Sequence, residues 1–213
     1  MIPLALIPVT IFIGFAVFDE KRHVFVSLAV AVLTLALFTL GFEKKVTGTR
    51  RTVIVAVMIA LSIAGRFIPF FKPVTAITII TAMYLGSESG FTVGAFSALL
   101  SNFYFGQGPW TPFQMLAFGL IGFISGSLAR PLKKSRVFLL IFGALSGIFY
   151  TLIMDIWTIL WYNSSFELSV YVGAFITAIP HTALYTVSNL IFLWFMAKPF
   201  GDKLSRIKIK YDI

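Results

Sequence analysis

The sequence predicts an all-α integral membrane protein built as a helical bundle. Of its 213 residues, 59% are hydrophobic and 12% are charged, whereas a soluble domain has about 25% charged residues. The charges are segregated into short clusters between long apolar runs. Because backbone groups in lipid must form hydrogen bonds within their own segment, apolar runs of this length predict helices. The sequence does not show the short alternating strands typical of a membrane barrel.

Eight apolar segments can be read in order, at residues 1–18, 24–42, 52–70, 74–86, 90–105, 112–129, 137–162 and 169–197. The first segment ends in the cluster 19–23 and not at a small-residue cleavage site, so we expect a retained helix. The fourth and fifth segments are short, and the 13 residues of the fourth span as a helix only about 20 Å of a core about 30 Å thick. By character the chain divides into an N-terminal hairpin (1–42), a six-segment core (52–197) and a basic tail (198–213).

The basic residues predict the orientation. Strict alternation places the linkers 43–51 and 130–136 and the tail on one side, and together they carry 13 of the 17 lysines and arginines. The positive-inside rule makes that side cytoplasmic, with both termini there. The rule also accounts for most of the net charge of +9 without a nucleic-acid partner.

Several functional classes are disfavoured. The chain has no cysteine, which excludes disulfides, thiolate metal sites and a cysteine nucleophile. It has no phosphate-binding G-x-x-x-x-G-K-[ST] loop, so uphill transport would need an ion gradient or another subunit. Asp155 is the one obvious acid within a membrane segment. Ion-coupled carriers usually keep ionisable residues within the membrane, so this sequence does not favour such a carrier.

Small residues recur at helix-contact spacing. Ala56, Ala60 and Ala64 form a stripe on the third segment, which could pack inside the bundle or dock a partner protein. The pairs Gly122/Gly126 and Gly143/Gly147 predict internal packing of later helices.

Polar and aromatic residues concentrate on the predicted outer side. Side-chain amides beside aromatic rings, with few charges, can bind a large and mostly neutral ligand with an apolar body. The same residue types would also be found in an aromatic belt at the membrane interface. We expect Asp155 to pair with Arg66 or Lys72, or to face a wet cavity. The candidate substrate-binding residues are Arg66, Lys72, Asn102, Tyr104, Gln107, Trp110, Gln114, Asp155, Trp157, Trp161 and His181.

Three interpretations of His181, which follows Pro180 within the last segment, are open. It could contact a ligand or be a structural group. With Ser146 it could form the serine–histidine pair of a rhomboid-type intramembrane protease, but glycine would be needed where Ala144 stands.

Three stretches of the sequence carry a family resemblance: the one around Ala56 and Ala60, the one from residue 71 through Gly90 to Asn102, and the Gly-Gln-Gly-Pro-Trp-Thr-Pro run at 106–112. They resemble a substrate-binding S component of an energy-coupling factor (ECF) transporter. The resemblance covers roughly residues 50–197 and is closest to S components associated with cobalamin and other corrinoids.

The resemblance implies a six-helix prokaryotic membrane protein that captures a vitamin from outside and performs no catalysis. It implies no cofactor of its own, because ATP is used by two cytoplasmic ATPases that act through a membrane coupling subunit. By position, Ala56 and Ala60 would contact that subunit, and the loop from Arg66 to Pro73 would help gate the pocket. The N-terminal hairpin is an addition, and if it covered Ala56 and Ala60 the docking role would fail.

The leading hypothesis is therefore a vitamin-capturing S component, with a corrinoid as the expected ligand. The alternatives are an S component for another vitamin, a stand-alone secondary carrier and a structural membrane protein.

Overall fold

The structure is a computed structural model, and it describes residues 2–17, 23–40, 48–69, 71–162 and 167–211. The described residues form helices and contain no strand, which confirms the predicted all-α membrane bundle. The helices are α1 (Ile2–Val17), α2 (His23–Leu40), α3 (Gly48–Arg66), α4 (Val74–Leu85), α5 (Ser87–Phe105), α6 (Thr111–Ser127), α7 (Ala129–Lys134), α8 (Arg136–Tyr162) and α9 (Leu168–Tyr211).

Three of the described helices, α3, α8 and α9, are long and apolar enough to cross a membrane by length and composition, and α1, α2 and α4 contain shorter apolar stretches. Successive core helices run in opposite directions. Arg51, at the start of α3, bonds the end of α4, while Arg66, at the other end of α3, bonds Asn102 near the end of α5. We call these the basic end (Arg51, Lys133, Arg136 and Lys198) and the polar end (Arg66, Asn102, Gln107 and Gln114).

Helix α4 lies at the centre of the bundle, and every one of its residues except Tyr84 is buried. It packs against α3, α5, α6 and α9, which explains how a helix of 12 residues fits in a membrane protein. Pro73 precedes its first turn, and Gly86 alone joins it to α5. Gly86 has a φ of +94°, a conformation that glycine adopts without a steric penalty.

Helices α5 and α6 form the closest helix pair, because glycine lets their backbones touch. A Cβ at Gly94 would lie 2.3 Å from the carbonyl oxygen of Phe118, and one at Gly90 would lie 2.7 Å from that of Gly122. On the other side of the bundle, a Cβ at Gly143 would lie 2.4 Å from Leu193. The predicted packing role of the glycine pairs is confirmed.

The N-terminal hairpin packs against α5 and α6. Gly14 of α1 meets Val26 of α2, and the ring of Phe12 lies edge-on to Phe113 of α6 with centroids 6.4 Å apart. In the described residues Ala56, Ala60 and Ala64 remain exposed on α3. The hairpin therefore does not cover the alanine stripe.

Helix α9 has 44 residues and, at 1.5 Å per residue, is about twice as long as a membrane core is thick. It contains Pro180 and Pro199. Beyond Pro199 it crosses the basic end, where Gly201 contacts Tyr84, Leu204 is buried and the carbonyl of Tyr211 accepts a hydrogen bond from Arg50 at 3.5 Å. The predicted basic tail is thus a helical continuation of α9 as far as residue 211.

Candidate functional site

A hydrogen-bond network at the polar end joins α3, α5 and α6 through Asn102, which is only 1% exposed. Arg66 donates to Asn102 Oδ1 at 2.9 Å and also to the hydroxyl of Ser101. The amide nitrogen of Asn102 donates to Thr111 Oγ1 at 2.9 Å and to Gln114 Oε1 at 2.8 Å. A satisfied buried network of this kind fixes the relative positions of the helices that contribute to it.

One branch of the network closes the α5–α6 connection. Thr111 donates to Gln107 Oε1 at 2.9 Å, and Gln107 Nε2 donates to the carbonyl of Leu99 at 2.9 Å. Gly106 begins the turn with a φ of +108°. A Cβ at Gly108 would lie 2.3 Å from the ring of Trp110, so glycine allows the indole to lie over the turn.

The other branch leads to a row of aromatic rings. Gln114 Nε2 donates to the hydroxyl of Tyr150 at 3.1 Å. The ring of Tyr150 stacks on Phe118 with centroids 4.5 Å apart, and its other neighbour is Tyr185 at 6.3 Å. Tyr185 in turn stacks on His181, with centroids 4.5 Å apart and planes only 6° from parallel.

This aromatic row opens onto a cavity of about 320 Å³ between the α3–α4 loop and α9, lined by Pro69, Lys72, His181, Leu184 and Tyr185. The ammonium of Lys72 lies 5.6 Å from the centroid of the Tyr185 ring. Flat rings with one cation and nearby amides can hold a planar, mostly neutral molecule by stacking and hydrogen bonding.

Asp155 lies on α8 and is 7% exposed. Its Oδ2 has no hydrogen-bond partner among the described residues, and Arg66 bonds Ser101 and Asn102 instead. Nearby in sequence, Trp157 packs edge-on against Trp110 with centroids 5.7 Å apart. A buried carboxyl oxygen without a partner is costly in a membrane, so Asp155 remains a candidate for contact with a ligand or water.

The predicted site residues fall into distinct groups. Arg66, Asn102, Gln107 and Gln114 belong to one network, while Lys72 and His181 line the cavity. Tyr104 is 73% exposed and packs on Phe67 with centroids 4.7 Å apart, as expected of an interfacial belt. The side chain of Trp161 lies outside the described part of the structure.

Four members of this site are not among the candidate residues chosen from the sequence: Ser101, Thr111, Tyr150 and Tyr185. Ser101 and Thr111 do lie in the polar and aromatic stretch 101–114 that the sequence marks out. The position of Tyr185 one helical turn after His181 was a usable signal, since residues four apart share a helix face. Tyr150 lies among apolar residues, and only tertiary packing connects it to Gln114.

The arrangement offers binding groups and no evident catalytic pair. Ser146 donates to the carbonyl of Phe142 at 2.7 Å within its own helix, whereas His181 stacks on Tyr185. Among the described residues, no group of three or more His, Asp or Glu side chains could hold a metal ion.

Comparison with known families decides the class. A model of the family described as "ECF-type riboflavin transporter, S component" matches residues 46–198. The chain belongs to this S-component family. No curated protein and no solved structure gives a significant match.

Membership confirms much of what the sequence predicted. An ECF S component is a multi-pass prokaryotic membrane protein that binds a vitamin, and it is a transporter subunit, not an enzyme. It associates with a membrane coupling subunit and two ATPases, which use the ATP, and it has no cofactor of its own. The match begins after the N-terminal hairpin and ends before most of the basic tail.

Proposed function

We propose that this S component captures a vitamin with a planar aromatic ring system at the polar end of the bundle. The observation that carries this proposal is the cavity of about 320 Å³ beside the parallel rings of His181 and Tyr185. This volume is at the lower end of the range of about 300–1,000 Å³ for small-molecule sites. A flavin is the best-fitting ligand class, because its ring system is flat and neutral.

Further support comes from the polar groups around the cavity. The amides of Asn102 and Gln114 already bond protein partners, and Gln114 positions the hydroxyl of Tyr150 beside Tyr185. These contacts preorganise the aromatic row, which reduces the entropic cost of binding a rigid ring. The family description names riboflavin transporters, which agrees with a flavin.

A corrinoid is the second candidate, and its support is the resemblance of the sequence, over roughly residues 50–197, to cobalamin-associated members. A corrinoid is several times larger than a flavin, so it would require the cavity to open further, for example by movement of the loop that contains Pro69 and Lys72.

Binding to the purified, detergent-solubilised chain distinguishes these ligands. We expect riboflavin to bind tightly with quenched flavin fluorescence, and we expect Tyr185→Leu to weaken binding about two- to tenfold by removing a stacking surface. The matched control is Tyr104→Leu, at the same end of the bundle but 73% exposed, which should leave affinity unchanged. Tight binding of cobalamin with none of riboflavin would overturn the flavin assignment and favour the corrinoid.

We propose that the polar end faces outward, with both termini cytoplasmic. At the basic end lie α7 and the residues of α9 beyond Pro199, which together carry seven of the chain's lysines and arginines. The positive-inside rule assigns such an end to the cytoplasm.

The absence of cysteine from the chain allows a direct test of orientation. Single variants Lys134→Cys and Glu167→Cys place a thiol at exposed positions of the basic and polar ends. In intact cells a membrane-impermeant maleimide should label only the Glu167→Cys variant. Labelling of the Lys134→Cys variant alone would reverse the orientation.

We propose that α3 docks on the coupling subunit through Ala56, Ala60 and Ala64. All three are exposed, and Val57 and Leu61 beside them are 52% and 41% exposed. Small residues at this spacing let a partner helix approach the backbone closely. The hairpin packs on α5 and α6, which leaves this face open to a partner.

A further inference from the structure

A second cavity, distant from the polar end, lies among α4, α7, α8 and α9 at the basic end. Its volume is about 230 Å³, and its lining combines the cations Lys133, Arg136 and Lys198 with one acid, Asp202. The other lining residues are Met83, Tyr84, Leu132, Leu139, Leu193, Trp194 and Ala197. The lining is therefore cationic at its rim and apolar at its floor.

Two of the cations are held in place by aromatic rings. The ammonium of Lys133 lies 4.3 Å from the centroid of the Tyr84 ring. The guanidinium carbon of Arg136 lies 3.8 Å from the centroid of the Trp194 ring, and Arg136 also donates to the carbonyl of Trp194. Cation–π contacts of this kind orient a cation without neutralising it, so the positive charge stays available to an anion.

The floor and the surroundings of the cavity are suited to hydrocarbon. Leu132, Leu139 and Leu193 are 1%, 4% and 1% exposed and close the cavity from inside. Outside it, Val137 is 68% exposed and Phe195 is 64% exposed on the flanking turns of α8 and α9. In a membrane protein such exposed apolar side chains contact lipid tails.

We propose that this cavity binds the headgroup of an anionic phospholipid, with the phosphate near Lys133 and Lys198 and the acyl chains along the exposed apolar surface of α8 and α9. Basic pockets between membrane helices on the cytoplasmic side are a recurring form of lipid headgroup site. Burial and, secondly, the neighbouring cation Lys208 lower the pKa of Lys133, so an anion in the cavity would stabilise its charged form. The site is independent of vitamin capture.

The site also suggests a role. Its lining joins α4, α7, α8 and α9, and Tyr84 contacts Gly201 just beyond Pro199. A bound lipid would therefore connect the central helix to the part of α9 that crosses the basic end. We expect it to stabilise that part of α9 against the bundle.

The test uses the full chain, delipidated in detergent and titrated with phosphatidylglycerol while bound lipid is counted by native mass spectrometry. Phosphatidylcholine and inorganic phosphate are the comparators. We expect phosphatidylglycerol to bind and to raise the melting temperature, and Lys133→Gln/Lys198→Gln to weaken its binding about 10- to 30-fold, since each basic residue near a headgroup contributes about fivefold. Lys133→Arg/Lys198→Arg should retain binding.

The matched control is Arg130→Gln/Lys134→Gln, which also removes two positive charges, both from the short helix that carries Lys133, without changing the cavity lining. It should leave lipid binding within about twofold of the unmodified chain. Equal losses in the two glutamine double variants would overturn the proposal in favour of diffuse surface charge. Equal binding of phosphatidylcholine would overturn the role of the cations, and equal protection by inorganic phosphate would show a free-anion site.

Discussion

The side-chain amide of Asn102 on α5 donates to Oε1 of Gln114 on α6 at 2.8 Å. This bond connects two functions of the polar end. One amide belongs to the network that holds Arg66 against the bundle, and the other holds the hydroxyl of Tyr150 at the start of the aromatic row. The fold and the proposed ligand site therefore depend on the same contact.

Replacement of Asn102 by alanine should lower both stability and ligand affinity. The substitution removes one hydrogen bond each from Arg66, Thr111 and Gln114 Oε1, although Arg66 keeps Ser101 and Thr111 keeps Gln107. A buried polar group left unsatisfied costs about 1–3 kcal/mol before relaxation. Interhelical hydrogen bonds in membranes contribute less, about 0.6 kcal/mol on average. We therefore expect a total loss of about 1–3 kcal/mol, measured as a lower melting temperature in detergent.

Thr177→Ala is the control for that experiment, because Thr177 is exposed and its hydrogen bond among the described residues lies within its own helix, to the carbonyl of Ala174 at 2.8 Å. It should leave the melting temperature unchanged. If Asn102→Ala melted like the unmodified chain, the network would have no structural role.

Gly94→Leu should prevent the bundle from forming. A Cβ at Gly94 already lies 2.3 Å from the carbonyl oxygen of Phe118, which is a backbone atom that cannot move aside, so α5 and α6 would have to separate. Gly173→Leu is the matched control, because a Cβ there has nothing within 4 Å. Size-exclusion chromatography should show a monodisperse Gly173→Leu variant and an aggregated Gly94→Leu variant. A monodisperse Gly94→Leu variant would contradict the close α5–α6 packing.

The bundle was predictable because lipid imposes a simple rule on apolar segments. Segment 74–86 of the prediction corresponds to α4 at Val74–Leu85, bounded by Pro73 and Gly86. The predicted segment 90–105 starts later than the observed helix α5, whose first residue is Ser87. The prediction starts late because Glu88 interrupts the apolar pattern. Tertiary packing accommodates this acid at the basic end of the bundle.

The site was predictable only in part. Amide residues such as Asn102 and Gln114 stand out in an apolar sequence, and they do lie together. Tyr150 and Tyr185 come from helices far apart in sequence, and only the fold brings their rings within 6.3 Å of each other. The helical continuation beyond Pro199 was also missed, because proline normally disfavours a helix interior.

Arg51→Leu should destabilise the fold, whereas Arg50→Leu should not. Arg51 is 8% exposed and donates to Ser89 Oγ at 2.9 Å and to the carbonyl of Leu85, so it stabilises the α4–α5 turn at Gly86. Arg50, its neighbour, is exposed and contacts the end of α9. We expect a loss of about 1–3 kcal/mol for Arg51→Leu from the two buried charge-assisted hydrogen bonds it removes, and less than about 0.5 kcal/mol for Arg50→Leu.

Thermal unfolding of the two purified variants checks this prediction. Because both substitutions remove one positive charge from the same turn of α3, a difference between them isolates the buried contacts of Arg51. Equal melting temperatures would mean that the turn at Gly86 does not depend on the guanidinium.

Ala60→Trp should abolish vitamin uptake while sparing vitamin binding. Ala60 is at the middle of the exposed stripe on α3, where a tryptophan would prevent a partner helix from approaching the backbone. Ala60 does not line the cavity at the polar end, so affinity measured on the purified chain should stay within about twofold. The measurement pairs uptake of labelled vitamin by cells with ligand binding by the same variant.

Val172→Trp controls for a bulky residue at a lipid-facing position, since Val172 on α9 is 48% exposed and outside the stripe. It should transport normally. Co-purification of the ATPase subunits should follow uptake, being lost with Ala60→Trp and kept with Val172→Trp. Normal uptake by the Ala60→Trp variant would exclude α3 as the docking face, and because vitamin binding is measured separately, that result would leave the proposed capture site intact.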